Sequence, residues 1–180
     1  MDIFAHAFWA VTAGKIAVVK NRKSLNSWLM AWWGIFPDLF AFTIPFVWLI
    51  YKLTFGGESL SDLPRPDEMS PATEQVWVFQ LASFLYNISH SLIVFVLAFA
   101  ITFYVLKKPR WEIISWLIHI IIDIPTHSYQ FYPTPFLWPV SSWKFDGVSW
   151  DRPWFMAVNF LAIVITYFLV FRKKKRTRGL

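Results

Sequence analysis

Three residues spaced four apart could do chemistry together: His119, Asp123 and His127, in the segment HIIIDIPTHSYQFY. Each step of four residues turns an α-helix by about 400°, so the three side chains fall within roughly 80° of arc. Imidazole nitrogens and carboxylate oxygens bind zinc and similar divalent ions, and catalytic zinc sites keep a position open for water. Pro125 is expected to bend or end this helix, which leaves His119 and Asp123 as the secure pair and can swing His127 outward.

Three more ionisable side chains lie in apolar segments: His6, Asp38 and His90. Because the chain has no cysteine, a metal site must be built from His, Asp or Glu. Asp38 and Asp123 are the candidate catalytic carboxylates, with Asp38 predicted to orient or deprotonate water. The side chains predicted to orient the imidazoles are polar neighbours of two histidines, namely Asn87, Ser89 and Ser91 beside His90, and Thr126 and Ser128 beside His127.

Taken singly, these residues have plainer explanations. An intramembrane histidine commonly hydrogen-bonds between helices without binding a metal. Asp38, which follows Pro37, can bond backbone donors that a kink sets free. Ionisable residues within spans are nevertheless costly and usually functional. As a set they predict a metal site of His6, Asp38, His90, His119 and Asp123, with His127 as a further metal or substrate contact.

The composition places these groups in a membrane protein. Of the 180 residues, 57% are hydrophobic and 16% are charged, whereas soluble domains carry about 25% charged residues. A helix needs about 20 apolar residues to cross a bilayer. We therefore predict a single all-α domain over residues 1–180, with a bundle of five spans at about 3–19, 28–51, 76–106, 111–127 and 154–171. The third segment has 31 residues and is expected to tilt or to project beyond the membrane.

Charge predicts the orientation of the bundle. Segments 20–27, 107–110 and 172–178, together with Lys15, hold 13 of the 17 Lys and Arg residues. Five crossings put all of them on one side, and basic loops face the cytoplasm, so the N-terminus is predicted outside and the C-terminus inside. The first segment is not predicted to be a signal peptide, because its positive charges follow the apolar run.

This topology gives the loops their predicted sides. Segments 52–75 and 128–153 become the outer loops, and 172–180 becomes a basic cytoplasmic tail. The tail is interpreted as a membrane anchor, and no nucleic acid partner is expected. Counted at 1.5 Å per residue, the six ionisable groups lie roughly 12 to 24 Å from the cytoplasmic ends of their spans. The site is therefore predicted towards the outer face of a bacterial or archaeal cytoplasmic membrane.

Four stretches of the chain resemble a known family: DIFAHAFWAVTAGK, GIFPDLFAF, NISHSLIV and HIIIDIPTHSYQFYPTPFLWP. In this order they look like the motifs of the YdjM-like family of membrane-bound, predicted metal-dependent hydrolases. The resemblance covers most of the chain apart from 52–75 and the tail. One departure is that the second acid usual shortly after Pro-Asp is absent, and Phe40 stands nearby instead.

The ligand order is also similar to that of zinc-dependent phospholipase C and the related single-strand nucleases. That similarity implies one metal held by Asp38, His90, His119 and Asp123, and a second that shares Asp123 with His6. His127 would begin a third site, but the later ligand pair that completes it has no counterpart here. One or two divalent ions, with zinc as the expected metal, follow from the resemblance.

Together these features predict a membrane-embedded metal-dependent hydrolase. Its expected substrate is a phosphoester of a lipid or lipid-linked molecule in the outer leaflet, a choice that rests mainly on the resemblance. Two alternatives use the same residues differently. A divalent-cation or proton transporter would place His and Asp near the midplane, and a structural membrane protein would use them as polar contacts without a metal.

Overall fold

Six α-helices form a bundle in the part of the chain that the structure describes. A computed structural model describes residues 1–21, 25–57, 59, 76–130 and 132–176, and these residues contain no β-strand. The helices are α1 (Ile3–Asn21), α2 (Ser27–Phe55), α3 (Trp77–Ser89), α4 (Leu92–Leu106), α5 (Ile114–Thr126) and α6 (Pro153–Arg176). A 3₁₀ turn, Trp111–Ile113, leads into α5. The predicted all-α class is confirmed.

Two helices in the described part of the chain, α2 and α6, are long and apolar enough to cross a membrane. α3 and α4 are long and apolar enough to cross a membrane only when they are taken together, and they meet at a bend of 62°. Counting this pair as one span raises the number of candidate spans to three. α1 is apolar but shorter, with Ile3–Ala17 as its apolar part. Membrane-spanning character is therefore supported, while five crossings and their orientation stay predictions.

The segment 76–106 differs from its predicted form. A tilted or projecting span was expected, but the structure breaks it between Ser89 and Leu92. Ser91 begins the second half as an N-cap, because its side chain accepts hydrogen bonds from the backbone N–H groups of Ile93 and Val94 at 3.1 and 3.2 Å. A side-chain cap of this kind stabilises a new helix start. The physical reason for the break is thus a serine that offers the backbone an alternative partner.

The exterior of the bundle is apolar. In an 18-residue apolar stretch of each candidate span, only 6% of α6 and 22% of α2 are buried inside the protein. α4 exposes Val96, Leu97, Ile101 and other large apolar side chains in the same way. An apolar exterior on helices of this length is what a lipid environment requires.

The interior is held by close approach and by aromatic packing. A Cβ added at Gly34 of α2 would lie 2.7 Å from Ala10 Cβ, so α1 and α2 nearly touch at this level. Trp116 of α5 packs face to face with Trp33 and edge to face with Phe36 of α2, at 6.2 and 5.3 Å between ring centroids. These contacts fix α1, α2 and α5 against one another.

The segment after α5 folds back onto the end of that helix. Backbone N–H groups of Gly147, Val148 and Trp150 donate to the carbonyls of His127, Pro125 and Thr126, at 2.8, 2.9 and 3.1 Å. Buried carbonyls need partners, and the helix that ends here leaves these three without helical ones. The predicted outer loop 128–153 is therefore a folded cap, apart from residue 131, which lies outside the described residues.

Parts of other predicted loops also fall outside the described residues. These are 22–24 of the first basic segment, 58 and 60–75 of the loop 52–75, and 177–180 of the tail. The first residues of the predicted loop 52–75 are helical, because α2 runs to Phe55. α6 likewise continues through the start of the predicted tail to Arg176.

Candidate metal centre

Two helices and one helix break bring four ionisable side chains to one place. α2 supplies Asp38 and α5 supplies His119 and Asp123, while His90 sits between α3 and α4. One ligand atom from each of these four residues lies within 4.8 Å of the other three. We call Asp38, His90, His119 and Asp123 the primary group. It is the set predicted to share one ion.

The spacing inside the primary group fits a single divalent ion. His119 Nε2 lies 3.0 Å from His90 Nε2 and 3.0 Å from Asp123 Oδ2. Asp38 Oδ1 lies 3.5 Å from His90 Nε2 and 3.6 Å from His119 Nε2, and Asp123 Oδ2 lies 3.4 Å from His90 Nε2. Four ligands bound to zinc at about 2.0–2.1 Å stand about 3.3 Å apart. The chain therefore presents ligand atoms at the separation that a zinc ion needs.

Hydrogen bonds on the far side of the rings aim the imidazoles inward. His119 Nδ1–H donates to the Gly34 carbonyl at 2.7 Å, which turns Nε2 towards the primary group. His90 Nδ1 lies 2.9 Å from Ser89 Oγ, and its Nε2 also faces the primary group. Partners of this kind fix the tautomer of metal-binding histidines. The predicted orienting role of Ser89 is supported by this contact.

Several buried polar atoms of the site are close together without bonding. Asp123 Oδ2 and both ring nitrogens of His6 are fully buried and make no hydrogen bond within the described part of the chain. Asp123 Oδ2 nevertheless lies 3.0 Å from one histidine nitrogen and 3.4 Å from another. Buried carboxylates are normally hydrogen-bonded or coordinate metals. Short separation without hydrogen-bond geometry is what ligands around a shared cation show.

The other oxygen of Asp123 faces a second set of groups. His6 Nε2 lies 3.0 Å and His127 Nε2 3.4 Å from Asp123 Oδ1. The Met1 amino group hydrogen-bonds to the same oxygen and lies 2.9 Å from His127 Nε2. His6 also stacks on His119 at 3.6 Å between ring centroids. The Asp123 carboxylate thus lies between two clusters, as a bridging ligand would.

His127 lies closer to the site than the sequence suggested. α5 ends at Thr126, as expected after Pro125, and His127 adopts an extended backbone with φ −117° and ψ 149°. Its side chain is buried, and its Nδ1–H donates to the Tyr132 carbonyl at 2.8 Å. The expectation that His127 can swing outward is wrong, because that hydrogen bond turns Nε2 towards Asp123.

The remaining predicted orienting residues lie elsewhere. Ser91 caps α4 and hydrogen-bonds to the Trp138 carbonyl, so it holds the helix break rather than an imidazole. Thr126 Oγ1 donates to the Ile122 carbonyl within α5 at 3.0 Å. Ser128 Oγ is buried without a hydrogen-bond partner in the described ranges. Asn87 lines a cavity beside α3. The predicted role of these four side chains in orienting the imidazoles stays a prediction.

Two contributors were not predicted from the sequence. Gly34 supplies the carbonyl that holds His119. Tyr86 is buried, stacks on His90 at 3.7 Å and places its hydroxyl 3.2 Å from the Tyr132 carbonyl, to which it donates. Tyr86 precedes His90 by one helical turn, and this spacing was the one available signal, since residues four apart meet on a helix.

Access to the primary group runs past Asp38. The Asp38 side chain is 16% exposed, whereas His90 and Asp123 are 0% and 1% exposed. Phe42, one turn further along α2, packs on Tyr132 at 5.4 Å and on Tyr86 at 5.7 Å between ring centroids. A reacting molecule would therefore meet Asp38 first, at an aromatic-walled opening.

Comparison of the chain with protein-family profiles, with curated protein sequences and with solved structures finds no match. The resemblance to the YdjM-like family accordingly stays a prediction.

Proposed function

We propose that this protein is a membrane-embedded metal-dependent hydrolase that cleaves a phosphoester of a lipid or lipid-linked substrate. The observation that carries the proposal is the primary group itself. Five of the six pairs of its ligand atoms are 3.0 to 3.6 Å apart and all lie within 4.8 Å of one another, and its buried Asp123 Oδ2 has no hydrogen-bond partner in the described residues. A set of two imidazoles and two carboxylates suits zinc.

A bound divalent ion would supply a Lewis acid for the phosphoester and would make water a nucleophile near neutral pH. The chain's own residues divide the remaining work. Asp38, the exposed member of the primary group, meets the incoming water and is proposed to orient it and accept its proton. Asp123 is buried and is proposed to hold the centre together, and a second ion beside His6 would take the place of the Met1 amino group at Asp123 Oδ1.

The membrane setting supports a lipid substrate. The helices around the site are apolar on the outside, and Phe40 and Ile44 of α2 are exposed close to Asp38 in sequence. A molecule that reaches Asp38 from the lipid phase would meet an apolar surface first. We further propose five crossings with the N-terminus outside, the C-terminus in the cytoplasm and the site towards the outer face. The clustering of 13 of the 17 basic residues supports this topology.

A transporter is the second candidate, and the break at His90 favours it. Transporters commonly bind substrates and coupling ions where a membrane helix is discontinuous, and α3 and α4 meet here at a bend of 62°. The hydrolase is preferred because three of the four members of the primary group are buried. Among these four residues only Asp38 has a partly exposed side chain, whereas alternating access needs exposure of the site to both sides of the membrane.

The test is metal-dependent hydrolysis by purified protein. The protein is stripped with a chelator and zinc is added back while hydrolysis of phospholipid in mixed micelles is followed. Activity should return in proportion to the bound metal, and Asp38→Asn should lower it by about a hundredfold or more. Asp151→Asn, which changes an exposed acid in the segment before α6, is the matched control.

The contrary results are specific. Protein that binds one zinc ion per chain but cleaves no phosphoester would contradict the hydrolase. If the same protein in liposomes moved zinc or protons across the membrane, the transporter function would be preferred over the hydrolase function.

A further inference from the structure

A cavity of about 580 Å³ lies between α3 and the folded segment that follows α5. We call it the outer cavity. Its volume falls in the range of about 300–1,000 Å³ that is usual for small-molecule sites. Its lining combines aromatic rings with amide, hydroxyl and amino side chains, including Gln80, Ser83, Asn87, Tyr129, Gln130 and Lys144. The metal ligands do not line this cavity.

The polar side of the outer cavity runs along one face of α3 to the metal centre. Gln80, Ser83 and Asn87 stand at i, i+3 and i+7, and His90 follows at i+10. At about 100° per residue, the three positions in α3 fall within roughly 60° of arc, and His90 follows directly after the helix ends. Asn87 therefore stands less than one turn, or about 4.5 Å along the axis, from the metal ligand His90.

One tyrosine is shared by the two sites. Tyr132 lines the outer cavity, and its carbonyl accepts hydrogen bonds from the Tyr86 hydroxyl and from His127 Nδ1 at 3.2 and 2.8 Å. Tyr132 also has a backbone φ of 42°, a left-handed conformation that residues other than glycine rarely adopt. Such strain is retained where surrounding contacts over-determine it, often at binding sites. A molecule in the outer cavity would thus lie against the wall of the metal centre.

Charge selects the kind of molecule that fits. Lys144 is half-buried, and this burial lowers the pKa of its ammonium group because the charged form loses hydration. No carboxylate lies within 4.0 Å of Lys144 among the described residues. The carboxylate nearest in sequence, Asp146, accepts a hydrogen bond from the Tyr129 backbone N–H at 2.9 Å. The ammonium group is therefore available to an anion, and it disfavours a cation.

We propose that the outer cavity binds the polar headgroup of an anionic, hydroxyl-bearing phospholipid, of the phosphatidylglycerol type, while its phosphoester lies at the metal centre. The inference rests on the proposed function. Asn87, Gln80 and Gln130 offer amide donors and acceptors to hydroxyl groups, and the aromatic rings offer apolar faces to the carbon skeleton. Lys144 places a positive charge beside the headgroup. Choline and ethanolamine headgroups carry a positive charge that Lys144 repels.

The test separates binding from hydrolysis. Binding of short-chain phosphatidylglycerol and of short-chain phosphatidylcholine is measured by calorimetry on Asp38→Asn protein, which the proposed function expects to be inactive. Phosphatidylglycerol should bind at least about tenfold more tightly. Lys144→Glu added to that protein should abolish or reverse the preference. Arg152→Glu makes the same charge change at an exposed position that does not line the outer cavity, and it should leave the preference intact.

Three results would overturn the proposal. The first is equal binding of the two lipids, and the second is an equal effect of Lys144→Glu and Arg152→Glu. The third is displacement of the lipid by glycerol 3-phosphate at equal concentration, which would identify the ligand as a soluble phosphate. Asn87→Leu gives a second variant, expected to weaken phosphatidylglycerol binding by about tenfold while leaving zinc content unchanged. Since these readouts involve no turnover, selective binding with no hydrolysis in wild-type protein would contradict the hydrolase and leave the headgroup site standing.

Discussion

At the scale of single residues, the Asp123 carboxylate organises the site. Its Oδ2 faces His90 and His119 at 3.4 and 3.0 Å, and its Oδ1 faces His6 and His127 at 3.0 and 3.4 Å. The Met1 amino group hydrogen-bonds to Oδ1, whereas the buried Oδ2 has no hydrogen-bond partner among the described residues and is costly unless a cation compensates for it. The proposed metal therefore explains why this chain maintains four imidazoles around one acid.

Removing different ligands should separate the primary group from His127. We expect His119→Ala or Asp123→Ala to abolish metal binding, because each removes a ligand and leaves the others buried and uncompensated. His127→Ala should leave metal content near normal and lower activity, because His127 lies outside the primary group. Elemental analysis of the three purified variants is the measurement. Equal metal loss in all three would show that His127 is itself a ligand of the main ion.

Gly34 offers a second test at this scale. A Cβ there would lie 2.7 Å from Ala10 Cβ and 3.1 Å from the His6 carbonyl, so Gly34→Ala must push α1 and α2 apart. We expect the variant to bind zinc about tenfold to a hundredfold more weakly, because the Gly34 carbonyl orients His119. Zinc affinity is measured by competition with a chelating dye.

Gly14→Ala is the matched control for Gly34→Ala. Its added Cβ would meet the Sδ and Cε atoms at the flexible end of Met30, which can move aside. If Gly14→Ala weakened zinc binding as much as Gly34→Ala, the role given to the Gly34 carbonyl would be wrong.

At the scale of elements, the break between α3 and α4 and the segment after α5 support each other. The Leu92 backbone N–H donates to the Phe136 carbonyl at 3.0 Å, and Ser91 bonds to the Trp138 carbonyl. The same segment returns to the end of α5 through Gly147. It therefore holds both His90 and His127 in place, although it contributes no member of the primary group.

Gly147 should be sensitive to substitution. A Cβ at this position would lie 2.3 Å from the Pro125 carbonyl oxygen, and backbone on both sides leaves little room to shift. We expect Gly147→Ala to lower the free energy of unfolding by about 2 kcal/mol or more, and with it the midpoint of thermal unfolding by several degrees. Fluorescence-monitored unfolding in detergent is the measurement.

Gly57→Ala provides the comparison for Gly147→Ala. Gly57 has φ +70°, but no atom lies within 4 Å of an added Cβ. Backbone strain should therefore lower the free energy of unfolding of Gly57→Ala by only about 1 kcal/mol. Equal losses in the two variants would mean that crowding at Pro125 contributes nothing to the destabilisation.

The sequence predicted which ionisable residues meet, because the helical rise and the basic segments place them at one depth. It missed the break at Ser89–Ser91, since that stretch has neither proline nor glycine and only Ser91 signals a helix start. Gly34 and Tyr86 were also missed. Their contacts depend on how helices cross, which a one-dimensional pattern does not encode. The inward turn of His127 likewise depends on Tyr132, whose position is set by the fold of the later segment.

At the scale of the whole molecule, an apolar exterior surrounds a polar centre. This arrangement suits a protein whose surroundings are lipid. The number of crossings decides which face the site opens towards, and the basic residues favour five.

Reporter fusions test that topology. A reporter after Leu180 should be cytoplasmic, and one inserted near Ser61 should be external, because the positive-inside rule places the basic segments in the cytoplasm. Both reporters on the same side would contradict the five-span arrangement and would also remove the reason for placing the site towards the outer face.

The most direct test of the metal centre is X-ray absorption or anomalous scattering at the zinc edge on purified wild-type protein. We predict one zinc ion in the primary group, with nitrogen and oxygen ligands at about 2.0–2.2 Å that include two imidazoles. Protein that takes up no divalent ion, or that binds zinc away from His90 and His119, would contradict the account.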